Sequence, residues 1–103
     1  MATYILLKEL LKEIPGPSGP SGSYNEIEIH GLNSADTRSL SHNCGIANNA
    51  SSDGILRFNS RLRSDFTIPK ILNETSKLGY QVCAMSHHHV TIWTLVKHQY
   101  PRN

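Results

Sequence analysis

Three consecutive histidines, His87, His88 and His89, carry most of the chemistry this sequence could perform. Imidazoles ligate metals, move protons and change charge near neutrality. The triplet sits in GYQVCAMSHHHVTIWTLVKH, Gly79 to His98, between two runs that read as β-strands. Consecutive residues in extended backbone point in alternate directions. At most His87 and His89 can therefore face one ion, and further ligands must come from elsewhere. A catalytic histidine also needs an orienting acceptor and a nucleophile within hydrogen-bond reach, and the sequence contains no GxSxG, HExxH or GxxxxGK[ST]. His42 and Cys44 are two zinc-ligand types without a second pair at metal-site spacing. The histidines thus admit three readings: a polar turn, a pH-sensitive contact surface, or a His-dependent metal-binding protein or small enzyme using His87, His89 and either His42 or Cys44.

The elements that must hold the triplet are legible around it. Tyr80–Met85 and Val90–Val96 are strand-length runs rich in β-branched and apolar residues. The four residues Ser86 to His89 between them make a connection of hairpin size. Strict alternation puts Tyr80, Val82 and Ala84 on one face of the first strand and Cys83 and Met85 on the other. On the second strand, Trp93 and Leu95 oppose Ile92 and Val96. Both strands are then apolar on two faces; one face packs a helix and the other needs a second helix or a neighbouring subunit. That helix precedes the hairpin. Ser64, Asp65 or Thr67 can cap it, Pro69 is tolerated in its first turn, and Ile68, Ile71, Leu72, Thr75 and Leu78 trace one face before Gly79 stops it.

The N-terminal ATYILLKELLKEI is ambiguous. Its apolar residues recur at helical spacing, yet Tyr4-Ile5-Leu6-Leu7 can equally begin a buried strand. In PGPSGPSGS, Pro15 to Ser23, the prolines remove backbone donors, the glycines add chain entropy and no side chain can enter a core, so the run reads as a mobile loop. Tyr24, Ile27 and Ile29 suit a short half-exposed strand, and Ile55, Leu56, Phe58 and Leu62 are candidates for burial. Residues 33–54 are poor in apolar side chains and read as a flexible surface segment.

With 103 residues the chain forms a single domain, 1–103, with flexible loops near 15–23 and 33–54. The net charge of +2 is small. Arg57, Arg61 and Arg63, with Lys70 and the flanking Phe58 and Phe66, form a weak basic patch that reads as a solvated strand edge, so no nucleic-acid partner is expected. Cys44 and Cys83 form no CxxC and no disulfide framework. No apolar stretch suits a signal peptide or a membrane span, so the expectation is a cytoplasmic protein, with the nucleus as the alternative. On that basis the glycosylation patterns at Asn49 and Asn73 are accidental.

ILNETSKLGYQVCAMSHHHVTIWTLVKH is similar in length, order and punctuation to the C-terminal half of the GTP cyclohydrolase I feedback regulatory protein family. The matching features are Ile71-Leu72 in the helix, GYQV after its stop, Met85-Ser86, Thr91, and an apolar tail with one tryptophan. TYILLKELLKEIPGPS resembles the family's opening segment, with Tyr4, Glu13 and Gly16-Pro17 in the expected order. His87 to His89 replace a glycine-containing turn, the tryptophan is shifted by about one position, and Ser34 to Gly54 has no counterpart. The resemblance implies a small α/β (α+β) protein whose mainly antiparallel sheet, with about two helices, assembles as a ring-shaped homopentamer. It also implies an extended N-terminal stretch.

Members of that family catalyse nothing and carry no cofactor. They dock on GTP cyclohydrolase I, phenylalanine promoting a stimulatory complex and tetrahydrobiopterin an inhibitory one. By position, the resemblance places Leu10, Glu13, Gly16, Pro17, Ser86, His87, His88, His89 and Thr91 at the partner and effector surface, with Gly16-Pro17 supplying a turn of close backbone approach. A stand-alone ligand-binding α/β module is a further alternative, separable by a monomeric mass; stoichiometric zinc would favour the metal reading.

Overall fold

A computed structural model describes residues 2–45, 54–60, 63 and 65–98. The elements in chain order are β1 (Ala2–Ile14), β2 (Gly22–His30), α1 (Ser34–Asn43), β3 (Leu56–Asn59), α2 (Ile68–Lys77), β4 (Gln81–His87) and β5 (Thr91–His98). The strands form one sheet in the order β3-β2-β1-β5-β4, with every neighbouring pair antiparallel. The class is α+β, as expected. Leu40 of α1 and Ile71 of α2 join the apolar cluster formed by Ile5, Leu7, Ile27, Ile29, Leu56, Phe58 and Leu95, so both helices cover one face of the sheet.

The N-terminal segment is extended along its whole length. Helical spacing loses because strand pairing satisfies both edges of β1 at once: Leu6 to Ile14 pair with β2, and Ala2 to Glu9 pair with β5. Period-two alternation then buries Ile5 and Leu7 completely and sends Tyr4, Leu6, Lys8 and Leu10 to the opposite face. Tertiary pairing has overridden local propensity.

The helix expected after the arginine cluster lies at Ile68–Lys77. Thr67 is its N-cap, Pro69 lies in the first turn, and Gly79, at φ +98°, turns the chain out of it. Ile71 and Thr75 are fully buried.

A second helix stands where a flexible segment was expected, and this corrects the reading of 33–54. The Asn33 side chain accepts the Asp36 amide at 2.8 Å and caps α1 over Ser34–Asn43. Leu40 anchors the helix in the core. Asp36 supplies the other attachment: its Oδ2 accepts the Tyr80 hydroxyl at 2.7 Å and the Lys97 ammonium at 3.3 Å. One polar contact set thus joins α1 to the start of β4 and to β5. Burial, and then the Asp36 carboxylate, push the Tyr80 hydroxyl well above the ordinary tyrosine range. The rest of that stretch, 46–53, lies outside the described residues. The loop after β1 also differs from the expectation, since β2 already begins at Gly22.

The C-terminal hairpin departs from strict alternation. Val82 opposes Leu95, whereas Ala84 opposes Thr94, so Cys83 is the extra residue of a β-bulge. The bulge puts Val82 and Met85 on the same face, not on opposite ones, and β4 is exposed throughout. Leu95 and Trp93, not β4, meet the helical layer. The arginines are paired: Arg57 with Glu28 at 3.2 Å, and Arg63 and Lys70 with Asp65 at 2.7 and 2.8 Å. Arg61 and Leu62 lie outside the described residues.

Leu7→Ala should lower unfolding stability by about 2–5 kcal/mol, because it opens a cavity at the centre of the sheet; urea denaturation checks this. Stability should also decline at both extremes of pH. Burial pushes the Glu28 carboxyl up, but hydrogen bonds and charge from His30 and Arg57 more than offset this and hold it below its ordinary 4.5. Its contribution is present above that value and disappears as pH falls through the depressed one. Tyr80 acts at the other end: its hydroxyl ionises in the unfolded chain near pH 10 but resists ionisation when folded, so stability falls as pH rises past 10. Glu28→Gln should flatten the acid limb of a stability–pH profile, and Tyr80→Phe the alkaline limb.

Candidate functional site

The unequal pairing of β1 creates the site. Its contact with β5 ends at Glu9 opposite Thr91, while its contact with β2 continues to Ile14 opposite Gly22. The far half of the β1–β2 hairpin therefore projects beyond the rest of the sheet as a two-stranded arm. The β4–β5 turn, His88 to Val90, lies in the angle where the arm departs.

In that angle is a cleft of about 310 Å³ lined by Glu9, Leu11, Asn25, His87, His89 and Thr91. Glu9 and Leu11 come from the face of β1 that, nearer its start, buries Ile5 and Leu7. Asn25 lies directly opposite Leu11 on β2. His87 ends β4 opposite Thr91, and its Nδ1 lies 2.6 Å from the threonine hydroxyl. His87 and His89 share the cleft, and His88 does not line it. His88 instead packs edge-on against His89, with ring centroids 4.6 Å apart.

The arrangement is one of hydrogen-bonding and charge groups around an apolar wall. Glu9 offers a carboxylate, Asn25 an amide, Thr91 a hydroxyl and the imidazoles both donor and acceptor nitrogens. Among the described residues, no group of three or more His, Cys, Asp or Glu side chains is placed to hold a metal ion. His42 and Cys44 do not act together: His42 is exposed, and Cys44 is buried in the core cluster. Burial, reinforced by the Glu74 carboxylate, pushes the Cys44 thiol up, away from the reactive thiolate.

The surface residues expected from the sequence divide into four groups. His87, His89 and Thr91 line the cleft. Glu13 lies on the same face of β1, further out along the arm. Leu10 and Ser86 point to the other face of the sheet, opposite Glu26 and Ile92 respectively, and do not join the cleft. Gly16 and Pro17 form the tip of the arm.

Gly16 is required by its own turn. A Cβ there would fall 2.7 Å from the Gly19 carbonyl and 3.1 Å from the Ser21 side chain. Glu9, Leu11 and Asn25 are the cleft residues that sequence reasoning missed. Once β1 is taken as a strand, the phase set by Ile5 and Leu7 is the signal that identifies Glu9 and Leu11. Comparison with family models, curated proteins and solved structures finds no match to this chain.

Gly16→Val should open the arm's turn without disturbing the core. The Ser21 amide, which donates to Ile14 at 2.8 Å, should lose hydrogen-exchange protection by tenfold or more, roughly the effect of a broken bond worth about 1.4 kcal/mol. Amides of Leu7 and Leu95 should exchange as before.

Proposed function

We propose that this chain is a non-enzymatic regulator that docks on GTP cyclohydrolase I and couples the activity of that enzyme to phenylalanine, which stimulates, and tetrahydrobiopterin, which inhibits. The observation that carries the reading is the cleft at the base of the arm. It joins the two segments, β1 and the β4–β5 turn, in which the sequence resembles the feedback regulatory family. Its chemistry suits an α-amino acid with an apolar side chain. Glu9 can receive an ammonium group, His87, His89 and Thr91 can bind a carboxylate, and Leu11 is an apolar wall. Its volume lies at the small end of the 300–1,000 Å³ typical of ligand sites.

A regulator of this type acts by binding one state of its partner better than another, and the effector shifts that balance with reciprocal coupling. A coupling of about 1–3 kcal/mol changes affinity about 5- to 150-fold. An open cleft beside a projecting arm suits such a role, because a ligand held there would be closed over by the docked partner and would contribute to both surfaces. Assembly as a homopentameric ring in the cytoplasm belongs to the same proposal. The two open edges of the sheet, at β3 and β4, and the partly apolar face away from the helices are the surfaces available for it.

The test is capture of GTP cyclohydrolase from lysate with and without phenylalanine, paired with sedimentation of the purified chain. Phenylalanine should increase capture severalfold, and Glu9→Gln should remove that increase. Joint alanine replacement of His87, His88 and His89 should weaken capture itself. Capture unchanged by the triple replacement refutes this placement of the surface, and a monomer at all concentrations refutes the ring.

A further inference from the structure

We infer that the outer edge of the arm, at Leu11 and Glu13, is a strand-addition site for an extended segment of a partner protein carrying an apolar residue preceded at period two by a basic one. The inference deepens the docking reading, on which it rests for the choice of surface. The argument begins with the direction of backbone groups. In an antiparallel pair, alternate residues direct both N–H and C=O towards the same neighbour. The Ile14 carbonyl accepts the Ser21 amide at 2.8 Å and so points to the β2 side of the arm. By alternation Leu10 and Lys12 do the same, while Leu11 and Glu13 point the other way. On that side β5 has already ended, because its last pair with β1 is Thr91 opposite Glu9. The N–H and C=O of Leu11 and of Glu13 are thus presented in a row, in line with β5 and with no strand of the described residues beside them.

The side chains on this edge state what would fit. Leu11 is 71% exposed, the most exposed of the large apolar residues among those described. Glu13 is exposed and Glu9 half-exposed on the same face, and neither has an ion pair or hydrogen bond among the described residues. The arm therefore offers alternating acid, apolar and acid side chains on one face. An incoming strand places an apolar residue opposite Leu11 and a basic residue opposite Glu13, the cross-strand pairs that stabilise a sheet. Antiparallel to β1, it runs in the direction of β5, and its C-terminal end arrives at the cleft beside His89 and Thr91. Main-chain hydrogen bonds would give affinity and the alternate side chains specificity.

The test uses the full chain and the blocked peptide acetyl-Thr-Lys-Thr-Val-Thr-amide, observed by amide NMR at millimolar peptide. Two control peptides have Glu in place of Lys, or N-methylated backbone at the positions that donate. The lysine peptide should shift and protect the Leu11 and Glu13 amides. It should bind about two- to fivefold more tightly than the glutamate peptide, as expected of one cross-strand charge pair. Glu13→Lys should reverse that order, and N-methylation should abolish binding. Equal binding of the two peptides, shifts confined to the Gln81–His87 edge, or no binding would overturn the inference. So would protection of Leu11 and Glu13 that is already present without peptide and lost on dilution, because the occupant would then be a second copy of the chain. No cyclohydrolase enters the experiment, so the regulator reading and this one can fail separately.

Discussion

Everything in this fold depends on β1 being paired with β5 over Ala2 to Glu9 and with β2 over Leu6 to Ile14, so that Leu6 to Glu9 are held on both sides and the residues beyond them on one. The half paired with β5 carries Ile5 and Leu7 into the middle of the apolar cluster and joins the N-terminal hairpin to the C-terminal one. The half beyond Glu9, paired with β2 alone, becomes the arm. A helix at this position would bury one stripe of leucines, but it would leave the inner edges of β2 and β5 with unsatisfied backbone groups. The cost of such orphaned groups is what makes the extended form win.

The same constraint explains what could be read in the sequence. Helix α2 was legible because its cap, its early proline, its apolar stripe and its terminal glycine all agree. The C-terminal hairpin was legible because its β-branched and apolar runs bracket a polar turn. The bulge at Cys83 was not, since one unpaired residue leaves no mark on composition; it nevertheless reverses the facing of everything before it on β4. The cleft was half legible. His87, His89 and Thr91 are local to one turn, whereas Glu9 and Asn25 reach it through pairings with partners far along the chain.

Helix α1 was missed for a different reason. Its attachments are largely polar: the Asn33 cap, and the Asp36 carboxylate shared by Tyr80 and Lys97. Only Leu40 provides a deep apolar anchor. Hydropathy patterning cannot detect an element held mainly by hydrogen bonds to residues some 44 to 61 positions away. The seam between the helices carries a related cost. Among the described residues, Ser41 Oγ and Glu74 Oε2 are buried without a hydrogen-bond partner, each a penalty of about 1–3 kcal/mol. The helical layer is accordingly less well satisfied than the sheet beneath it.

The bulge in β4 also bears on solubility. A flat, exposed edge strand is a template on which further chains can stack into fibrils, and an extra residue that twists the strand and breaks its ladder is one of the ways natural sheets prevent it. The outermost strand on this side, with Val82 and Met85 uncovered, would otherwise be such a template. Cys83 thus works as a safeguard against aggregation as well as an irregularity in register, and the imidazoles at the end of the strand add polarity where stacking would have to begin.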